Sequence, residues 1–271
     1  MKETAGGKNI VLSLNLFPVV GVGASAGGLN AFKKFIKAIP EHSGMAYVLV
    51  QHLDPKHESV LVELLQKSTV IPVLEVSDEI KVKPDHIYII PKNKMLVAND
   101  GILEISPRQS EAKNERNLPI DLFFTSLAEV HQAHAIGVVL SGTASDGTQG
   151  LRAIKDHGGI TFAQDEASAD FPGMPLSAIH AGVVDFIFPP ELIPGKLIEL
   201  TRHITTSGAE ENQPLEDEDV FKQILSFLHV RKGTDFTYYK QSTIRRRIQR
   251  RIVLNKCESL VSYKKTSGKQ S

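Results

Sequence analysis

A serine held in a tight turn becomes a nucleophile when a histidine takes its proton and a carboxylate orients that histidine. Ser25 stands in the stretch GVGASAGG, residues 21 to 28, between an apolar run that reads as a strand and an amphipathic run that reads as a helix. The cluster fits two patterns. As G-x-G-x-x-G/A, with Gly21, Gly23 and Ala26, it is a turn that sets a dinucleotide phosphate against helix N–H groups. As G-x-S-x-G, with Gly23, Ser25 and Gly27, it is a strained elbow that lifts a hydroxyl clear of the backbone. The first pattern also asks for an acid about 20 residues on, at the end of the second strand. The nearest, Asp54, comes late, after His52.

The second pattern asks for a base and an acid at the C-terminal ends of neighbouring parallel strands, where open α/β sheets build their sites. His52 follows the apolar run YVLVQ directly, and Asp146 lies in the turn SGTASDGTQG after AIGVVL, where Gly142 and Gly147 permit a tight backbone. Separate structural roles, such as helix capping, account for the same residue types equally well.

These residues need a parallel sheet to bring them together, and the hydrophobic rhythm supplies one. Strand-like and helical runs alternate as strand 17–22, helix 28–39, strand 47–50, helix 58–67 and strand 71–74, which predicts βαβ units. In the first helix Leu29, Phe32, Ile36 and Ile39 recur at helical spacing before Pro40. From Ile80 to Ile105 the period falls to two, and HIYII, KMLVA and ILEI are expected as antiparallel hairpins. Residues 106–117 read as a surface loop, followed by helix 120–131, strand 135–140, helix 149–157, strand 160–163 and a final short strand at 183–187. The expected fold is a doubly wound, mainly parallel α/β sheet with an antiparallel hairpin insert and a short C-terminal all-α fragment. Its expected parts are a tail (1–16), an α/β domain (17–205), an acidic linker (206–219) and a helical segment (220–271).

Composition narrows the classes. The chain has 271 residues, 41% hydrophobic and 23% charged, in the range of ordinary globular proteins. Lys plus Arg and Asp plus Glu each total 31, so no whole-chain attraction to nucleic acid or membrane is expected. Cys257 is the single cysteine, which excludes an intrachain disulfide framework, and with no secretory leader the expected compartment is the cytoplasm. No apolar stretch approaches the ~18 residues that span a bilayer, so no direct membrane insertion is expected. His131 and His134 share a helix face without a carboxylate or cysteine to complete a metal set, and a surface helix is the expectation there.

Taken in order and at their separations, GASAGG, QHLDP and LSGTASDGTQG resemble the chemotaxis protein-glutamate methylesterase family (CheB-type). The resemblance runs over residues 17 to 190 and includes KPDHIYIIP, LPIDLFFTSLA, AQDEASADFPGMP and AIHAGVVDFIF. It implies Ser25 as nucleophile, His52 as base, Asp146 as the orienting acid, and the backbone N–H groups of Ala26 and Thr143 as oxyanion donors. It further implies hydrolysis of glutamyl methyl esters on the cytoplasmic helices of chemoreceptors, extending to deamidation of glutamines, with no cofactor and no metal. Two departures from the family pattern stand beside the nucleophile: Ala26 replaces a common Thr, and Thr143 replaces the Met of an LTGMG motif. Neither removes a backbone donor. No response-regulator domain is expected before Phe17, so control through one within this chain is not expected. Met174, in PGMP, is expected to pack at the rim of the site.

The C-terminal segment follows another logic. Val220, Phe221, Ile224, Leu225 and Leu228 form one helical stripe, and Ile244, Ile248 and Ile252 another, with Ser242 or Thr243 as the cap of the second. Arg245, Arg246, Arg247, Arg250 and Arg251 fill the rest of that second helix, which by charge alone reads as a solvated basic face. The stretch FKQILSFLHVRKGTDFTYYKQSTIRRRIQRR resembles the start of the N-terminal helical domain of the chemotaxis methyltransferase family (CheR-type). A methylesterase–methyltransferase hybrid cut short is the expectation, in which the five arginines help to recognise receptor or another signalling protein and nucleic acid is not a partner.

Overall fold

The computed structural model describes residues 17–51, 61–107, 118–208 and, in the C-terminal segment, 220–226, 229, 241–255, 257, 260, 262 and 263. Strands β1 (Val19–Ala24), β2 (Ala46–Gln51), β3 (Val73–Glu75), β4 (Ile80–Lys81), β5 (Ile87–Ile89), β6 (Lys94–Asn99), β7 (Ile102–Pro107), β8 (Ala135–Val139), β9 (Ile160–Gln164) and β10 (Phe186–Phe188) form two sheets. The larger has seven strands in the order β10-β9-β8-β1-β2-β5-β3, every pair parallel. The smaller is antiparallel, in the order β4-β7-β6.

The β6–β7 hairpin forms as its period-two pattern requires, with Asp100 and Gly101 at φ 40° and 78° closing the turn. HIYII does not belong to it. Its core, β5, lies between β2 and β3 in the parallel sheet. All three β5 residues are buried, and a short strand covered on both faces carries no alternation that tells a parallel strand from a hairpin arm.

Helices cover both faces. On one lie α1 (Gly28–Lys37) and α2 (Leu61–Gln66), where Phe32, Phe35 and Ile36 of α1 pack on Val20, Val22 and Leu49. On the other lie α3 (Pro119–His131), α4 (Thr148–Asp156) and α5 (Gly173–His180), where Phe123, Phe124 and Leu151 pack on Val19, Val48 and Val139. Helix α6 (Ile193–Gly208) returns to the first face through Ile193, Leu197 and Leu200, and runs three residues past the expected close at 205. The glycines of β1 explain how closely α3 lies against it. A Cβ on Gly21 would fall 2.8 Å from the Phe124 ring, and one on Gly23 would overlap Ile120.

His131, expected on a surface helix, is 4% exposed, and its Nδ1 has no hydrogen-bond partner among the described residues. Burial, with the charge of His134 adding to it, pushes its pKa down to about 4. The native ring is therefore neutral where an unfolded imidazole, with a pKa near 6.5, already takes a proton. Its contribution to stability is complete above pH 6.5 and is lost as the pH falls toward 4. His131→Leu is expected to recover about 2 kcal/mol of the stability that the wild type loses between pH 7 and pH 5, read from urea midpoints at the two pH values. Equal losses in variant and wild type would contradict this.

In the C-terminal segment, α7 (220–226) and α8 (Gln241–Leu254) bury Phe221, Ile224, Ile244, Ile248, Ile252 and Cys257 against one another. Leu254 of α8 reaches the core beneath α1 and α6.

Candidate active site

A doubly wound sheet opens a crevice where its strand order reverses, beyond the C-terminal ends of the two strands whose following helices go to opposite faces. In this sheet those strands are β1 and β8, since α1 follows the first on one face and α4 follows the second on the other. Ser25 comes immediately after β1. Its N–H donates to the Ser141 carbonyl at 2.9 Å, and its own carbonyl accepts the Gly28 N–H at 2.9 Å, so the chain turns over the four residues 25–28. Gly27 sits at φ 73°, which favours glycine, and a Cβ on Gly28 would lie 2.8 Å from that of Ala24. The serine is half-buried. Across from it, Gly142 makes room: a Cβ there would overlap the Met174 sulfur and lie 3.0 Å from the Ser25 Cβ. Met174 is buried behind that glycine.

Asp146 ends the loop that follows β8, on the same edge of the sheet. It is 3% exposed, and a carboxylate at that depth needs donors. Three backbone N–H groups supply them: Ile120 at 3.1 Å, Asp121 at 2.9 Å and Gly147 at 2.9 Å. Two belong to the first turn of α3, so the positive end of that helix faces the carboxylate. Asp121 returns the arrangement by accepting the Gly150 N–H of α4 at 2.7 Å. Each acid thus caps the helix that starts beside the other. Asp121 bears the cost of the crowding, since burial first and the Asp146 charge after it raise its pKa to about 6.

Ala26 follows the elbow serine and Thr143 lies in the loop after β8. Neither amide N–H donates a hydrogen bond among the described residues, which leaves two donors open at the switch point. Ser25, Ala26, Thr143 and Asp146 are thus brought to one edge of one sheet. His52 and Asp54, with His57, lie outside the described residues. Gly21 and Gly23, the first two glycines of the dinucleotide pattern, face inward onto Phe124 and Ile120 and accommodate helix packing instead of a phosphate. Among the described residues no group of three or more His, Cys, Asp or Glu side chains is placed to hold a metal ion, and no helix is long and apolar enough to cross a membrane.

The arginines stand elsewhere. Arg250 donates through Nε to the Gly159 carbonyl at 2.9 Å and pairs with Asp185, at residues just before β9 and β10 and hence on the sheet edge opposite Ser25. Both side chains of this pair are under 10% exposed, at 9% and 7%, so Arg250 is turned inward. Arg245 lies over the Phe221 ring at 4.1 Å. Arg247 and Arg251 are exposed, and the side chain of Arg246 lies outside the described set.

Three residues at the site have no role in the sequence reading: Ser141, Gln164 and Asp121. The signal for the first two was a polar side chain at the very end of an apolar strand run, LSG after AIGVV and the final Gln of ITFAQ.

A glycine-flanked serine elbow and a buried, amide-held carboxylate at the switch point of a doubly wound sheet are the frame of an α/β hydrolytic enzyme. Comparison with known proteins makes this specific. The model of the CheB methylesterase family matches residues 20–197, and that of the CheR methyltransferase all-alpha domain matches residues 219–265. A Leptospira interrogans protein provisionally designated protein-glutamate methylesterase/protein-glutamine glutaminase is 33% identical over 188 residues, or 69% of this chain and 96% of that one. An uncharacterized 104.1 kDa protein of Rhodobacter capsulatus is 33% identical over 225 residues, of whose length the match spans only 23%. The crystal structure of the Thermotoga maritima CheB methylesterase catalytic domain superposes with a TM-score of 0.62 at 32% identity, covering 68% of this chain and 98% of that domain. The chain belongs to the CheB methylesterase family, is a hydrolase, and carries a CheR-type helical domain after its catalytic domain.

Proposed function

We propose that this chain hydrolyses γ-glutamyl methyl esters on the cytoplasmic helices of chemoreceptors by a Ser-His-Asp mechanism. The observation that carries the reading is the junction at the switch point, where Ser25 donates its N–H to Ser141 in the loop that leads to the buried Asp146. In this reading His52, directly after β2, takes the Ser25 proton as Oγ bonds to the ester carbonyl carbon. The Ala26 and Thr143 N–H groups hold the oxygen that becomes negative. The carbon–methoxy bond then breaks, His52 returns the proton, and methanol leaves. Water repeats the sequence on the acyl-serine and releases the glutamyl carboxylate. A glutamine side chain runs the same course with ammonia as the leaving group. Asp146 orients the imidazole and balances its charge, held in place by three amides. The exposed Arg247 and Arg251 offer a basic surface to an acidic receptor helix in the cytoplasm.

Methanol release from a methyl-esterified receptor fragment tests this. Saturable release that stops when the fragment carries free carboxylates supports it. No release from a folded chain would assign the domain to scaffolding instead.

A further inference from the structure

Ser141 ties together three segments that meet at the switch point. It is 1% exposed and follows β8, the strand beside β1. Its carbonyl accepts the Ser25 N–H at 2.9 Å, its N–H donates to the Gln164 side-chain oxygen at 2.8 Å, its hydroxyl donates to the Ala26 carbonyl at 2.9 Å, and that hydroxyl accepts the Phe171 N–H at 3.0 Å. One buried side chain therefore joins the elbow, the loop after β8 and the segment after β9.

The consequence falls on two amides. Around Ala26, the preceding peptide is held by Gly28 N–H on the Ser25 carbonyl at 2.9 Å, and the following peptide is held by the Ser141 hydroxyl. A planar trans peptide with its carbonyl fixed has its N–H direction fixed as well. Around Thr143 the hold is one step longer. The hydroxyl fixes Phe171, whose carbonyl accepts the Gly142 N–H at 2.8 Å, and the Gly142 carbonyl accepts the Met174 N–H at 2.9 Å. That last bond sets the plane whose opposite side carries the Thr143 N–H. Each of the two N–H groups left open among the described residues is set by a neighbouring bond, Gly28 N–H to the Ser25 carbonyl for Ala26 and Met174 N–H to the Gly142 carbonyl for Thr143. The Ser141 hydroxyl braces both places, holding the next peptide at Ala26 and the Phe171 segment that binds the Gly142 N–H.

We infer that Ser141 is a positioning residue for ester hydrolysis, its hydroxyl aligning the Ala26 and Thr143 N–H groups on the carbonyl oxygen of the ester. The inference rests on the methylesterase reading above and concerns the part of the site that acts only as negative charge develops. Such donors contribute to kcat more than to substrate affinity, because the ground-state carbonyl gains little from them.

The test measures kcat and KM for methanol release from the methyl-esterified receptor fragment with Ser141→Ala, Ser141→Cys and Ser141→Thr, beside wild type and Ser25→Ala. Ser141→Ala and Ser141→Cys are expected to lower kcat roughly 10–100-fold with KM within about twofold, since misaligned donors lose part of the 10²–10³ that a whole donor contributes. Ser141→Thr, which keeps the hydroxyl, is expected within about threefold of wild-type kcat. Ser141→Cys nearly conserves shape and carries the test if the alanine variant does not fold. Wild-type kcat in a folded Ala or Cys variant overturns the inference, as does a folded Thr variant no better than Cys. If Ser25→Ala abolishes release while the Ser141 variants keep it, the inference fails alone. If wild type releases no methanol, both fall.

Discussion

Ser25→Ala is expected to lower methanol release from a methyl-esterified receptor fragment by about 10⁶-fold, the scale on which loss of a triad serine acts in template serine hydrolases. The residue is half-buried, and among the described residues the bonds that shape the elbow come from its backbone: its N–H donates to the Ser141 carbonyl and its carbonyl accepts the Gly28 N–H, both at 2.9 Å. Alanine keeps both and adds no atom against Gly142. The melting temperature is therefore expected to stay within about 2 °C of wild type, since surface-proximal changes without lost bonds shift stability by about 0.5 kcal/mol or less. Near-normal release from a folded Ser25→Ala protein would remove the nucleophile from the account.

Asp146→Asn is expected to act on both activity and stability. The aspartate accepts the Ile120 N–H on one oxygen and the Asp121 and Gly147 N–H groups on the other. An asparagine presents an amide nitrogen in place of one of those oxygens, and donor then faces donor in a buried position. The stability cost is expected at about 2 kcal/mol, read from urea denaturation. Activity is expected to fall roughly 10³–10⁴-fold, following the template in which an amide can no longer hold the imidazole in its working tautomer. The two readouts separate two roles. If Asp146 only caps α3, stability falls while kcat per folded molecule stays near wild type, and the acid is lost from the proposed mechanism.

Much of this was legible in the sequence because the signals are local. The elbow is written in Gly23, Ser25 and Gly27, the strand β1 in alternating valines and glycines, and the β6–β7 hairpin in two period-two runs around Asn99-Asp100-Gly101. HIYII is not legible as a parallel strand for a physical reason: its strand, β5, is three residues long and buried on both faces, and its partner strands β2, some forty residues earlier, and β3 leave no mark in its own pattern. The helix face shared by His131 and His134, with no carboxylate or cysteine to complete a metal set, reads as a surface helix, whereas His131 is buried in the fold, a burial set by tertiary packing that its local spacing does not carry. By charge alone Arg250 belongs with its neighbours to one basic face. The pairing with Asp185 that turns it inward depends on two residues 65 positions apart. Ser141 and Gln164 were invisible for the same reason, since each acquires its meaning only from strands that become neighbours in the folded sheet.

Groups that act as one unit lose their effect together, so the most direct test of convergence is a cycle of Ser25→Ala, His52→Ala and the double variant, each assayed for kcat/KM of methanol release. A single nucleophile–base assembly predicts that the double variant is about as impaired as either single one, because once one partner is gone the other has nothing left to do. Losses that multiply, so that the double variant falls by the product of the two, would show the residues working independently and contradict the assembly.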